Sequence, residues 1–171
     1  MRLQSTPAVN VNLFRGFVVR NESEKGEVEL RVFNDFAKAE NIGLVPGSAT
    51  KGDADSGEPD ICCETRKGKV YFELAEACAP EFAAEITRSL KSRETVAVWG
   101  SDVSVETVKK KLKKTYSVSQ PIELLLYTAG RTALPDDIIS AQVSPILSDG
   151  IGPFRRVWLF GEGVQLLADI S

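Results

Sequence analysis

The sequence predicts an α/β (α+β) fold, a single mixed sheet flanked by helices, and three observations carry that expectation. Apolar residues recur at helical spacing in several separated stretches. A hairpin pattern, Asp60–Arg66 and Lys69–Glu76 about a Lys67-Gly68 turn, alternates between two faces. Two short apolar runs, Ile122–Tyr127 and Arg156–Phe160, have a helical pattern between them, the arrangement of strands in a partly parallel sheet. A chain of 171 residues suits one domain, 1–171, with residues 1–21 forming an N-terminal arm or an extra strand.

The elements follow in order. Val9–Arg20 reads as extended, with Val9, Val11, Leu13 and then Phe14, Phe17 and Val18. Ser23–Asn41 is the first strong helix, closed by Asn41 and Gly43. On a helical wheel Val28, Val32, Phe33, Phe36 and Ala37 share one arc, Glu29 falls in the middle of it, and Glu27 and Lys38 face water. Gly43–Gly57 is a loop by composition, with a short strand near Ile42–Val45. After the hairpin, Pro80–Lys91 is a second helix with Phe82, Ile86 and Leu90 on one face, and Thr95–Trp99 is a short strand or connector. Ser104 caps a third helix running to about Tyr116. Ile122–Tyr127 is apolar enough for a strand covered on both faces. Asp136 or Asp137 opens a fourth helix to about Leu147, where Pro145 marks an early end or a distortion. Arg156–Phe160 is a further strand, and Val164–Leu167 extends the sheet. The expected core contains Phe33, Phe36, Phe72, Leu74, Leu125 and Trp158.

Composition removes several function classes. The chain has no histidine, which excludes Ser-His-Asp and Cys-His nucleophilic catalysis and His-based metal sites. Acid–base chemistry must then come from carboxylates, Lys, Tyr, Cys or metal-bound water. Lys and Arg number 21 against 24 Asp and Glu, so the net charge of −3 provides no global basic field for nucleic acid. Cys62, Cys63 and Cys78 cannot all pair within the chain, and the two adjacent ones point to opposite faces of a strand. They are read as reduced thiols of a cytoplasmic protein. Met1–Asn10 lacks a basic stretch followed by a long apolar run, and the longest apolar runs are too short to span a bilayer, so no membrane partner is expected.

The hairpin gathers carboxylates. Pairing it about Lys67-Gly68 sets Cys62 opposite Glu73 and Asp60 opposite Ala75. Alternation then gives one face to Asp60, Cys62, Glu64, Tyr71, Glu73 and Ala75, and the other to Ile61, Cys63, Val70, Phe72 and Leu74. Asp60 and Glu73 become diagonal neighbours roughly 7–8 Å apart, a separation from which two carboxylates can converge on one cation. Oxygen-only ligation suits magnesium or manganese.

Glu58-Pro59-Asp60-Ile61, followed after the turn by Tyr71-Phe72-Glu73-Leu74-Ala75, resembles the restriction-endonuclease-like PD-(D/E)XK nuclease superfamily. The order of elements from the first helix to about Phe160 is similar to that fold as well. The resemblance implies a metal-dependent phosphodiester hydrolase acting on nucleic acid, with Asp60 and Glu73 as ligands of Mg or Mn and Glu29, from the first helix, joining the site. This sequence departs from the pattern at Ala75, where the superfamily has a lysine that helps activate the attacking water and stabilises charge on the phosphate. Some relatives take that lysine from a neighbouring helix. On the wheel of the third helix Lys109 borders the apolar face and is the best placed substitute, with Lys113 next. Within the run Lys109 to Lys114, Lys110, Lys113 and Lys114 are the candidates for phosphate-backbone contact, against the plainer reading of a solvated helix face. Two other functions stay open: a catalytically inactive binding or assembly module of the same fold, and an unrelated small-ligand-binding domain.

Overall fold

The computed structural model describes residues 22–77, 105–128 and 134–170. The expected arm at 9–20, the helix at 80–91 and the segment 95–99 lie outside the described residues. Within them, α1 (Glu22–Glu40) is followed by β1 (Thr50–Lys51), a 3-10 turn at Ala54–Ser56, β2 (Ile61–Thr65), β3 (Gly68–Glu76), α2 (Val105–Leu112), β4 (Ile122–Tyr127), α3 (Asp136–Ser148), β5 (Arg156–Phe160) and β6 (Val164–Asp169). The six strands form one mixed sheet in the order of the chain. β1, β2 and β3 are antiparallel neighbours, β3–β4 and β4–β5 are parallel, and β6 returns antiparallel to β5 with an irregularity between Val157 and Trp158. The mixed α/β class and the neighbouring hairpin, β4 and β5 match the expectation. The short strand expected near Ile42–Val45 is reduced to one bridge between Leu44 and Thr65, and the added edge strand is β1.

Helices cover both faces of the sheet. On one face Val28, Val32, Phe33, Phe36 and Ala37 of α1 pack on Ile61, Cys63, Val70, Phe72, Leu74, Leu125, Tyr127 and Trp158. Phe72 lies at the centre of an aromatic group, its ring 4.9 Å from Phe33 and 5.8 Å from Phe36. On the other face Val108 of α2 and Ile139, Val143 and Leu147 of α3 pack on Tyr71, Ala75, Leu124, Leu126, Val157 and Leu159. β4 therefore needs apolar side chains at consecutive positions, as its sequence has. All six expected core residues are buried.

Two local expectations change. The hairpin register is displaced by two residues: Cys62 lies opposite Tyr71, and Thr65 pairs with Gly68 across a two-residue loop. The Thr65 hydroxyl donates to the Gly68 carbonyl at 2.9 Å and accepts from Lys67 N at 3.1 Å, which closes the turn at Arg66-Lys67. A shift of two leaves every side chain on its face. α3 also continues through Pro145 to Ser148. Pro145 is exposed, so the carbonyl that loses its backbone donor lies on the water-facing side, and serine hydroxyls bond carbonyls one turn back from Ser144 and Ser148. No helix among the described residues is long and apolar enough to cross a membrane.

Candidate functional site

Asp60 and Glu73 meet on the sheet face covered by α2. β3 carries Glu73 into full enclosure, with none of its surface exposed. Asp60 precedes the first residue of β2, and its Oδ2 accepts the Leu74 backbone N–H at 2.8 Å, which fixes the carboxylate beside β3. The chain entering Asp60 is itself tied down. Gly52 N donates to the Asp60 carbonyl at 2.9 Å, and Glu58 accepts from Asp53 N at 3.0 Å and from the Tyr71 hydroxyl at 3.2 Å.

The cation between the two carboxylates is Lys111. Its Nζ contacts Glu73 Oε1 and lies 3.7 Å from Asp60 Oδ2. Lys114 adds a second ammonium, 2.9 Å from the same Glu73 oxygen. Two negative and two positive charges therefore share one place. Glu73 Oε2 and the Tyr116 hydroxyl are both buried there, with the hydroxyl beside the Glu73 carboxylate. Burial first, then the charge of Glu73 and the hydroxyl's interaction with that carboxylate, with a smaller effect of Asp60, pushes the Tyr116 hydroxyl pKa well up, so Tyr116 stays protonated and can donate.

Lys109, the expected substitute, turns outward to Glu106 at 3.0 Å in a surface pair. Lys110 and Lys113 are exposed. The wheel misassigned this segment for two reasons. α2 ends at Leu112 rather than near Tyr116, and turn-type bonds from Lys113 N and Lys114 N to Lys110 O and Lys111 O tighten its end. Lys114 thus leaves the helical progression and returns toward the sheet. Lys111 also borders the apolar face, on the flank opposite Lys109, about 60° from Val108 on the wheel. Only the docking of the helix selects the flank. That docking depends on Gly152, in the left-handed region at φ +60°, where a Cβ would lie 2.0 Å from the Leu112 carbonyl oxygen.

Glu29 is buried, as expected of an inward position, but α1 covers the face opposite Glu73. Its partner is Lys51 of β1, at 2.6 Å, with Lys25 one turn away at 3.9 Å. The structure does not join Glu29 to the Asp60–Glu73 pair by a contact. Members of both ion-pair groups, Glu29 and Lys51 of one and Asp60 and Lys114 of the other, line one cleft of about 250 Å³ at the β1 edge of the sheet together with Glu58, while Glu73 and Lys111 lie outside its lining. Ala75, two residues after Glu73, is buried in the apolar layer under α2 and α3.

Cys62 and Cys63 are free thiols. They point to opposite faces, as expected. Burial first, then the nearby charges, pushes the Cys63 thiol up to about 12, which makes it an inert core group. Among the described residues no group of three or more His, Cys, Asp or Glu side chains is arranged to hold a metal ion. No family model matches the chain, and neither a curated protein nor a solved structure matches it.

Proposed function

We propose that the protein is a metal-assisted phosphodiester hydrolase acting on nucleic acid, with its lysine supplied by α2 in place of the residue lost at Ala75. The observation that carries this reading is the convergence of Lys111 on Asp60 and Glu73. That trio has the two carboxylates and the amine that the PD-(D/E)XK resemblance calls for, drawn from three elements.

The donors suit magnesium or manganese in kind. Mg²⁺ binds through one or two carboxylates and otherwise keeps water or takes substrate oxygens. Asp60 and Glu73 would supply the two carboxylates, with Glu73 Oε2 enclosed beside the Tyr116 hydroxyl. When bound, the ion would polarise the phosphate and lower the pKa of an attacking water. Without it, Lys111 and Lys114 provide the positive charge that the carboxylates need. Both lysines have long flexible stems and are partly exposed, so they can move off Glu73 and turn to a phosphate. Glu29 then serves as a second acidic wall of the cleft. Lys114 contacts the phosphate backbone, with Lys110 and Lys113 on the exposed flank.

The test is hydrolysis of single- and double-stranded DNA and RNA with magnesium and with manganese, run beside Asp60→Asn, Glu73→Gln and Lys111→Met. Cleavage that needs the metal and falls at least a hundredfold in each variant supports the proposal. Cleavage unaffected by Lys111→Met refutes the role given to that lysine. One observation favours the inactive binding module as a second reading: the charge of Glu73 is already met by two ammonium groups. No cleavage with any substrate, together with no saturable magnesium or manganese binding, selects that reading.

A further inference from the structure

We infer that the chain carries a second ligand site, for a small phosphate ester of about mononucleotide size, on the α1 face at the hairpin-turn end of the sheet. A pocket of about 320 Å³ lies there, lined by Arg66 and Lys67 of the turn, Phe72, Glu123, Arg155 and Trp158. Its volume falls at the low end of the range for small-molecule sites, roughly 300–1,000 Å³. Phe72 and Trp158, both almost fully buried, close the floor, and the exposed Arg66 and Lys67 form a cationic rim suited to a phosphate.

The one buried acid in the pocket is already satisfied. Glu123 Oε2 accepts the Trp158 indole N–H at 2.7 Å, and Oε1 accepts Arg155 Nη2 at 2.6 Å. Arg156 approaches the same Oε1 at 3.7 Å and also holds Asp169 at 2.7 Å. The indole and the guanidiniums thus screen the Glu123 charge. Arg155 is engaged through Nη2 with Glu123, and its Nε is buried beneath the pocket surface, so the cations open to a ligand are those of the exposed turn. Arg66 and Lys67 make no ion pair with a carboxylate among the described residues. The stem of Arg66 lies against Gly43, about 3.4 Å from where a Cβ would stand, which holds it along the pocket wall. Glu40 and the carbonyl end of α1 are the negative groups that face the cations, so the rim retains a net positive charge. Asp60, Glu73 and Lys111 are not among the lining residues, so this pocket is separate from the cleft and does not depend on its being catalytic.

The experiment is isothermal titration of the full chain with inorganic phosphate, with adenosine 5′-monophosphate and with a single-stranded dodecanucleotide. The variants are Arg66→Ala/Lys67→Ala, which changes only exposed turn side chains, and Lys111→Ala in the Asp60–Glu73 ion cluster. Circular dichroism melts check that each is folded. The expected result is saturable binding of the mononucleotide that weakens with salt. It falls about tenfold or more in the turn variant and is unchanged in Lys111→Ala. Three results overturn the proposal: no saturable binding of phosphate or mononucleotide up to about 10 mM; binding lost in Lys111→Ala but kept in the turn variant; or tighter binding of the dodecanucleotide through Arg66 and Lys67, which makes the pocket part of a nucleic-acid track.

Discussion

Replacing Lys111 with methionine tests whether the ion cluster is held together by a buried charge. Glu73 is 0% exposed, Lys111 23% and Lys114 47%. Removing one partner of a buried ion pair costs about 3–5 kcal/mol, because the remaining charge is left without water or counterion. Here Lys114 stays at 2.9 Å, so part of that cost is offset, and Lys111→Met should destabilise the fold by about 1–3 kcal/mol. Glu73→Gln removes the buried charge instead. The two lysines it frees can reach water, so the expected loss is below about 1 kcal/mol. In the double variant Lys111→Met/Glu73→Gln the buried charge and its lost partner disappear together. It should therefore be more stable than Lys111→Met alone, a coupling that a double-mutant cycle isolates. Urea denaturation followed by circular dichroism measures all three. In a chain of this length the Lys111→Met loss lowers Tm by about 2–4 °C per kcal/mol. If Lys111→Met proves no more costly than Glu73→Gln, the carboxylate does not depend on that ammonium, and the account of the cluster fails.

Phe72→Ala should cost about 3–5 kcal/mol in the same denaturation experiment, since the ring is 1% exposed and fills the space between Phe33 and Phe36; a loss under about 1 kcal/mol contradicts its central position. Gly152→Ala should cost about 1–3 kcal/mol or more, because its Cβ meets the Leu112 carbonyl at the end of α2; unchanged stability means that the close approach is not needed. Stability should also fall as pH rises above 9. The Cys63 thiol ionises in the unfolded chain near its ordinary value of 9.0 but only at about 12 in the folded one. Between those values the unfolded state binds fewer protons, so unfolding gains by up to about 1.4 kcal/mol per pH unit. The alkaline slope should be shallower in Cys63→Ala, and an identical slope removes Cys63 as its source.

Much of this architecture was legible because the relevant patterns are local. A strand's alternation survives a register shift of two, so Asp60 and Glu73 were assigned to one face although the turn was misplaced by a residue. The paired apolar faces of β4 follow from consecutive apolar residues in the same way. What the periodicities did not contain was the relation between elements. A wheel puts Glu29 inward on α1, yet inward there means β1 and Lys51, with the sheet between α1 and Glu73. A wheel also finds two basic borders on α2 and cannot rank them. The left-handed glycine at 152 lets Leu112 approach, α2 settles with its Lys111 border toward the carboxylates, and Lys109 is left to Glu106 in solvent. Sequence alone determined which residues are charged and which face each strand residue takes. Helix docking is a long-range packing choice made between segments far apart in the chain, and it decided which lysine answers which carboxylate.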